Sequence, residues 1–573
     1  MTNRSETAWL GADRDDANEA GPSQPSADAG SVAGGHEFGH APAMIADGGR
    51  AVGSRIDRAV WAATDVLRRH WVLVLLLAAG LALRALAQIG YQPALLYIDT
   101  DKYIFGTDFR VNHWGASDPL GYTLLVLRPV LMFANLGVVA LLQHALGLAM
   151  AVALYALMLH RGVARPLAAL AVAPVLLDAY QLNAEQTIMP DVLFEALVVA
   201  GLVVLLWRPR PGLGLVVAGG LLLGTSAPVR QVGEALVVAA LAFVLAAARG
   251  WRTRLLHGAV LTFCFALPVL GYMAYSGVIL HDGFSMSDQG DAYLYGRTAH
   301  AADCATLKIP ADVRPLCPAP RVAAALGVDG LVNAPPSPRY LDRVLDPQTG
   351  RRISTQPYQL QLAYAVIRQQ PLRVVGDIAR DSAKVFALTR DGDVGDPPIR
   401  RWQFQMSFPV YPPVITLSGP ASANGIFGAA GGGTAHVYHP VALVLRDYQL
   451  HGGYTPGPVL LVALLTGIAG TCTYRRRGPT GLGSQPLALA CLLATGLGVA
   501  AVLGADLYEF SWRYQLPAVV MLPLAGAIGL TAVTARIRRA KGGLTAARTA
   551  TGGTSRRTRP ASAATGPRAS AVR

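Results

Sequence analysis

Long apolar runs dominate this chain and leave it few ways to fold in water. A bilayer core takes about 20 mostly apolar residues per helix. Runs of that kind stand near 71–90, 138–159, 166–182, 190–207, 212–228, 231–248, 255–280, 457–473, 485–505 and 516–534, which predicts about ten spans. Glycine and proline interrupt several of them, as membrane helices tolerate. Only 15% of the 573 residues are charged and 52% are hydrophobic. Soluble domains carry roughly 25% charged residues, so a water-soluble enzyme is excluded. So is wholesale disorder, which needs low apolar content.

The net charge of +14 is almost all arginine, with lysine only at Lys102, Lys308, Lys384 and Lys541. A basic balance can signal nucleic acid, but here the arginines flank the spans. Arg68-Arg69 precede span 1, and His160-Arg161 with Arg165 follow span 2. Arg208 and Arg210 follow span 4, and Arg249, Arg252 and Arg254 follow span 6. Arg475-Arg476-Arg477 follow span 8, and Arg536, Arg538, Arg539 and Lys541 follow span 10. With ten spans every cluster falls on one side, and positive charge stays cytoplasmic. The expected protein is multi-pass in the plasma membrane, with both termini cytoplasmic and no nucleic-acid partner.

The predicted organisation follows from the same pattern. Residues 1–66 form a polar, disordered tail, with no short apolar core near Met1 of the kind an ordinary signal peptide has. Residues 67–280 hold spans 1–7 and a first outer loop at 91–137; 281–456 form an extracytoplasmic domain. Residues 457–535 hold spans 8–10, and 536–573 form a basic disordered tail near anionic lipid. The stretch 119–136 is apolar but interrupted by Arg128 and Pro129, and counting it as a span would reverse every later arginine cluster. It is expected to lie along the outer interface, as is HPVALVLRDYQL at 439–450. An amphipathic stretch at 358–389 is broken by Pro371. Cys304 and Cys317 are the only cysteines of the long outer segment, and a pair in an oxidising compartment reads as a disulfide, with free thiols as the alternative. Cys264, Cys472 and Cys491 fall in apolar spans and read as small buried hydrophobes.

Charge beside a membrane core needs a reason. Asp99 and Asp101 stand two apart just beyond span 1, with Tyr103 two further on, in D-T-D-K-Y. A partly desolvated aspartate there can take a proton from a sugar hydroxyl; a solvated loop carboxylate is the plain alternative. Glu185 and Asp191 flank the turn after span 3, where they are candidates to bind an acceptor or, with Asp99 or Asp101, a divalent cation. Asp191 also suits the N-terminal dipole of span 4, and Glu195 one turn deeper needs a partner. Arg230 and Arg513 lie at outer turns, with phosphate binding and snorkelling to head groups as the two readings. Trp512 and Tyr514 read as interfacial aromatics, with sugar stacking as the alternative. His281, His300, His436, His439 and His451 lack metal-ligand spacing, and no Walker motif or nucleophile elbow occurs.

Several short motifs share an order. D-T-D-K-Y at 99–103 is followed by P-L-G-Y at 119–122, by GGLLLGTSAPVRQ at 219–231 and by SWRYQLPAV at 511–519. That layout resembles the GT-C superfamily of membrane glycosyltransferases that use polyprenyl-phosphate sugars, including the protein O-mannosyltransferases and the aminoarabinose transferases. It looks closest to uncharacterised members from GC-rich bacteria. The resemblance implies an all-α polytopic bundle of about ten helices, with interfacial helices in the first outer loop and a small extracytoplasmic domain. It implies transfer of a sugar, with inversion, from a polyprenyl-phosphate donor to an outer glycan, lipid or protein. Asp101 is its first choice of base because the Asp-x-Tyr spacing fits the family, with Asp99 second. Glu185, Asp191, Tyr103 and Tyr122 would bind acceptor or sugar, and Arg230, Arg513 and Lys102 the donor phosphate. The chain departs from the family in having Asp-x-Asp where an Asp-Glu pair is common. The family has members with and without a divalent cation. A transporter or flippase of lipid-linked or small polar cargo is the alternative; it would show paired repeats and broken helices, and no repeat is evident.

Overall fold

The computed structural model describes residues 64–105, 118–281, 283–287, 289–334, 336–339, 356–409, 411–413, 420–430, 433–474 and 485–552. The expected tail over 1–63, Arg110 and Arg475–Arg477, and the end of the basic tail beyond 552 lie outside them. Residues 64–68 belong to a separate unit and are helical.

The chain is an all-α polytopic membrane protein, and a helix stands at each predicted span. Among the described residues five helices are long and apolar enough to cross a bilayer: Trp71–Gly90, Leu136–His160, Trp251–Leu280, Pro486–Asp506 and Trp512–Ala540. We label α1 as Trp71–Gly90, α2 as Thr100–Phe105, α3 as Arg128–Leu131 and α4 as Leu136–His160. α5 (Arg165–Leu177) and α6 (Ala179–Gln186) make one apolar pair bent by 49°. α7 (Asp191–Leu206), α8 (Leu213–Val229) and α9 (Leu236–Ala247) are each shorter than a full span. α10 is Trp251–Tyr275, and a wider turn carries it on to Leu280.

The apolar faces follow from the solvent they expect. Leu75, Leu81, Val238 and Phe263 are each about 60–70% exposed, which costs nothing when the neighbour is lipid. Inside, small residues let backbones touch, as between membrane helices generally. A Cβ on Gly224 of α8 would collide with the Phe265 backbone of α10. At the other ends, Arg161 after α4 donates to the carbonyls of Leu206 and Arg208 after α7, so two arginine-bearing turns meet.

The long segment 281–456 builds α11 (Gly290–Ala301), α12 (Pro320–Asn333), α13 (Gln356–Gln369) and α14 (Pro371–Lys384). The first three share a small core of their own around Tyr295, Leu331 and Leu362. A disulfide joins Cys304 to Cys317 at its edge. α15 (Ala423–Ala429) and α16 (His439–Leu450) follow, and α16 lies against α1. Then come α17 (Gly457–Thr471), α18 (Gln485–Asp506) and α19 (Leu516–Gly552), the last running helically past residue 535 where composition predicts a tail. The segment at 119–136, expected as an interfacial helix, is helical from Thr123 to Leu131, a wider turn over Thr123–Leu127 running directly into α3, and it ends in exposed Met132 and Phe133. Of the three other cysteines Cys264 and Cys491 are buried, whereas Cys472 is exposed.

Short backbone contacts hold the first outer loop in place. Tyr91–Gln92 pairs antiparallel with His436–Val437. Leu95 accepts from Ile188 and donates to Gln186. Gly121 of the P-L-G-Y motif abuts the Pro228 carbonyl of α8, with no room for a Cβ. Two of the ordered motifs are therefore in direct contact.

Candidate active site

The D-T-D-K-Y segment folds as a turn leading into α2. Thr100 points inward: its hydroxyl donates to the Ile188 carbonyl and accepts from the Tyr97 amide at 2.8 Å. On a helical turn, residues three apart share a face while residues two apart diverge. Asp99 and Lys102 accordingly meet at 3.0 Å, and Lys102 also meets Asp118 at 3.0 Å. Asp101 turns elsewhere and accepts from the Lys102 amide at 2.8 Å.

Asp99, Lys102 and Asp118 form one wall of a chamber of about 420 Å³. Tyr97, Arg401 and Arg513 stand in its other walls. A second chamber of about 90 Å³ adjoins it, bounded by Tyr103, Pro190, Arg230 and Tyr508. Asp118, Tyr293, Glu509, Arg513 and Tyr514 line both. Asp101, Glu185 and Tyr122 line neither.

Arg513 comes from the short turn Trp512–Gln515 that opens α19. Its guanidinium lies 4.8 Å from the Trp402 ring centre and 5.2 Å from that of Tyr97, rings which themselves stack at 4.0 Å. Nη2 donates to the Tyr514 hydroxyl at 2.9 Å. Nε and Nη1 are buried and have no hydrogen-bond partner. A buried cationic donor left unmatched is costly, so this one is prepared for an anion that arrives. Arg230 pairs with Asp191 in the first turn of α7 and lies 4.5 Å over the Tyr514 ring. Nε of Arg513 comes within 3.7 Å of the same Asp191. The two arginines thus converge from distant helix ends around one carboxylate and one tyrosine.

The acids of the chamber differ in their protonation. Burial would raise the Asp99 carboxyl, but Lys102 and Arg513 outweigh it and hold it below the usual range. Burial pushes Asp101 up to about 6 against Lys102. Lys102 is held well above its ordinary value despite burial, chiefly by Asp118 and Asp99. Glu509 lies between α18 and the Trp512–Gln515 turn and is 6% exposed. Burial, with Asp329 close by, pushes it up to about 8.

Several expected site residues do other work. Glu185 is fully buried, 2.7 Å from Arg84 Nη2 and 3.0 Å from His144 Nδ1, inside the bundle. Tyr122 is fully buried and donates to Gln143 at 2.7 Å. Neither carbonyl oxygens nor carboxylates of these residues face the chambers. Glu195 finds its partner in Gln181 at 2.8 Å. Trp512 is no interfacial aromatic: it is buried and donates to the Asp391 carbonyl at 2.9 Å. Tyr514 is a chamber wall. His300 pairs with Asp377 at 2.8 Å. As for a cation, no group of three or more His, Cys, Asp or Glu is disposed to hold a metal among the described residues. Asp99 shares Lys102 with Asp118, Asp191 is held by Arg230, and Glu185 is elsewhere. The expected four carboxylates do not assemble a cation site.

Motifs did not mark Asp118, Tyr293, Arg401 or Glu509. Asp118 adjoins P-L-G-Y, and Glu509 stands two residues before S-W-R-Y, so adjacency was the available signal for both. Tyr293 and Arg401 come from the long outer segment, where only tertiary structure brings them in.

No family model matches the chain, and no curated protein matches it. Among solved structures it is similar to the protein O-mannosyltransferase Pmt1–Pmt2 complex of S. cerevisiae bound to the sugar donor, with 14% identity and a TM-score of 0.30. That match covers 43% of this chain and 38% of the other. It is also similar to the archaeal oligosaccharyltransferase AglB from Archaeoglobus fulgidus, in complex with an inhibitory peptide and a dolichol-phosphate, with 12% identity and a TM-score of 0.35. There 84% of this chain and 52% of the other are covered. The chain spans about half or less of the length of the solved chains it matches.

Proposed function

We propose that this protein is a membrane glycosyltransferase that moves a sugar, with inversion, from a polyprenyl-phosphate donor to an extracytoplasmic glycan, lipid or protein. One observation carries the reading. Arg513 is a buried guanidinium with two unmatched nitrogens, on the wall between two chambers that also hold Lys102, Arg230 and carboxylates. Planar N–H donors held in low dielectric suit a phosphate whose charge grows as it leaves. They strengthen most in the transition state, which is where binding accelerates chemistry.

The acceptor oxygen attacks the anomeric carbon, the bond from that carbon to the phosphate oxygen breaks, and the lipid phosphate departs toward Arg513 and Arg230. Lys102 supplies further positive charge from the opposite wall. Asp99, kept ionised by Lys102, is an acceptor of hydrogen bonds from sugar hydroxyls. Asp191 holds the two arginines in register. Asp101 is not carried forward as base, because its side chain lines neither chamber. The arginine clusters on the alternate loops support an outward position of the chambers.

The test is glycan analysis of the cell envelope in a deletion strain. One glycosylated component should disappear, return with the wild-type gene, and stay absent with Arg513→Ala at equal protein level. An unchanged envelope removes the reading. Cargo movement in vesicles without any glycosidic product would favour a transporter instead.

A further inference from the structure

A third chamber, of about 170 Å³, lies in the outer segment between α12 and α14. Carboxylates crowd it: Asp329, Asp377, Asp381 and Asp396 line it, with Lys384 among them. Most are answered within the protein. Arg297 binds Asp377 and Asp381 at 2.8 and 2.7 Å, and Lys384 binds Asp381 and Asp396 at 3.0 and 2.8 Å. One carboxyl keeps an oxygen unanswered. Glu509 lines this chamber as well as the other two, and its Oε2 is enclosed with no hydrogen-bond partner.

We propose that Glu509 is the proton acceptor of the transfer reaction, placed where an acceptor hydroxyl entering through the outer-segment chamber meets the donor in the central one. The inference rests on the glycosyl-transfer reading above. The hydroxyl proton passes to the Glu509 carboxylate as the acceptor oxygen bonds to the anomeric carbon. The electron pair of the broken carbon–oxygen bond leaves with the lipid phosphate, so atoms and charge balance.

Geometry separates Glu509 from the two aspartates first expected in this role. Asp101 lines neither chamber, and Asp99 is tied to Lys102, which makes it a poor base. Glu509 has no such ion pair. The groups that face it come from every surrounding element: Asp99 from the first outer loop, Asp329 from α12, Arg513 and Tyr514 from its own turn, and Tyr293 from α11. Tyr514 hydrogen-bonds its carboxyl and in turn accepts from Arg513 Nη2. One hydrogen-bonded chain therefore links the proton acceptor to the group that receives the leaving phosphate, so the two ends of the displacement are held at a fixed distance.

The experiment uses membranes of the deletion strain carrying the full chain, with their endogenous donor and acceptor. Release of polyprenyl phosphate is followed from pH 6 to 9 for wild type, Glu509→Gln and Glu509→Asp. Wild-type release should climb through about pH 8, where burial places this carboxyl. Glu509→Gln should lose about 100-fold or more, the scale of a general base, and its remainder should be flat in pH. Glu509→Asp should recover part of the rate with a displaced limb. Binding of undecaprenyl phosphate to purified Glu509→Gln should stay within about twofold of wild type, which a misfolded variant cannot do. Release by Glu509→Gln within threefold of wild type, with its pH limb intact, overturns the inference alone. No release from wild-type membranes overturns the transfer reading and this inference with it.

Discussion

Two of the buried acid–arginine clusters among the described residues are built from the same residue types to opposite ends. In the first, Arg84 Nη1 donates to the carbonyls of Gly80 and Leu176, and Nη2 to Val175 and Glu185. The other Glu185 oxygen meets His144, whose far nitrogen meets Gln186, which reaches the Tyr91 carbonyl. Gln143 ties Tyr122 to the backbone of Glu185 and Thr187. The cluster closes on itself where α5 bends into α6 and strengthens a weak point of the bundle. In the first cluster only Arg84 Nε lacks a hydrogen-bond partner and both Glu185 oxygens are bonded, whereas in the second Arg513 leaves Nε and Nη1 open and Glu509 leaves Oε2 open. Burial and charge are alike in both. What separates structure from function here is how much hydrogen-bonding capacity stays open, above all on the acid.

The comparison predicts that the closed cluster fails in stability and the open one in chemistry. The largest effect should come from Glu185→Ala, which strands Arg84 and His144 inside the bundle. Breaking a buried pair on one side costs about 3–5 kcal/mol, so folded protein in the membrane should fall sharply. Replacing both partners, as Arg84→Met with Glu185→Leu, should recover much of it. Thermal unfolding in detergent, read beside transfer activity per folded molecule, checks this. If the surviving Glu185→Ala protein is folded but inactive, Glu185 belongs to the site and the contrast is wrong.

Arg513→Ala comes next, with folding retained and transfer reduced. Loss of one donor to a developing oxyanion costs about 10²- to 10³-fold, and two nitrogens are removed here. Undecaprenyl phosphate binding should weaken in parallel. A variant that binds the lipid phosphate as wild type does would show that the anion is received elsewhere.

How far the sequence reveals this contrast depends on what each element needs. Apolar length marks every span, because lipid imposes the same demand on each helix whatever its neighbours. Arg230 and Arg513 are legible because few arginines stand at outer turns, and they do converge. Glu185 is misleading for a physical reason: an acid at a helix end looks the same in sequence whether a partner 101 residues away satisfies it or not. Glu509 is silent in the same way, since its environment comes from α11, α12 and the first outer loop together. Asp101 is singled out by the Asp-x-Tyr spacing of the resemblance. In the turn actually formed, Asp99 and Lys102, three apart, share the face that lines the chamber, and Asp101 does not.

Lys102→Ala should have a smaller, pH-dependent effect. Lys102 is the main cause that holds Asp99 below the usual carboxylate range, against burial. Without it burial prevails and the Asp99 pKa rises. Asp99 is then protonated, and its function lost, at a higher pH than before, so the acid limb of the transfer profile moves upward. For a shift of one or two units from below the usual carboxylate range, the loss should be under about twofold at pH 6 and grow to several-fold toward pH 5. A loss uniform at all pH values would leave the charge Lys102 offers the phosphate as the whole of its role, with Asp99 unaffected by it.

Asp101→Asn should change least, by less than about threefold, even though burial places this carboxyl near pH 6 and within the working range. Its oxygen accepts from the Lys102 amide, a bond the Asn oxygen can keep. Asp99→Asn, measured beside it, should cost more, because Asn removes the partner of Lys102 and leaves that ammonium to Asp118 alone. The ratio of the two losses reads the shape of residues 97–105 in the working enzyme. If Asp101→Asn proves the crippling variant, that segment presents its other face to substrate, and the chamber between Asp99, Arg513 and Glu509 is not where the sugar moves.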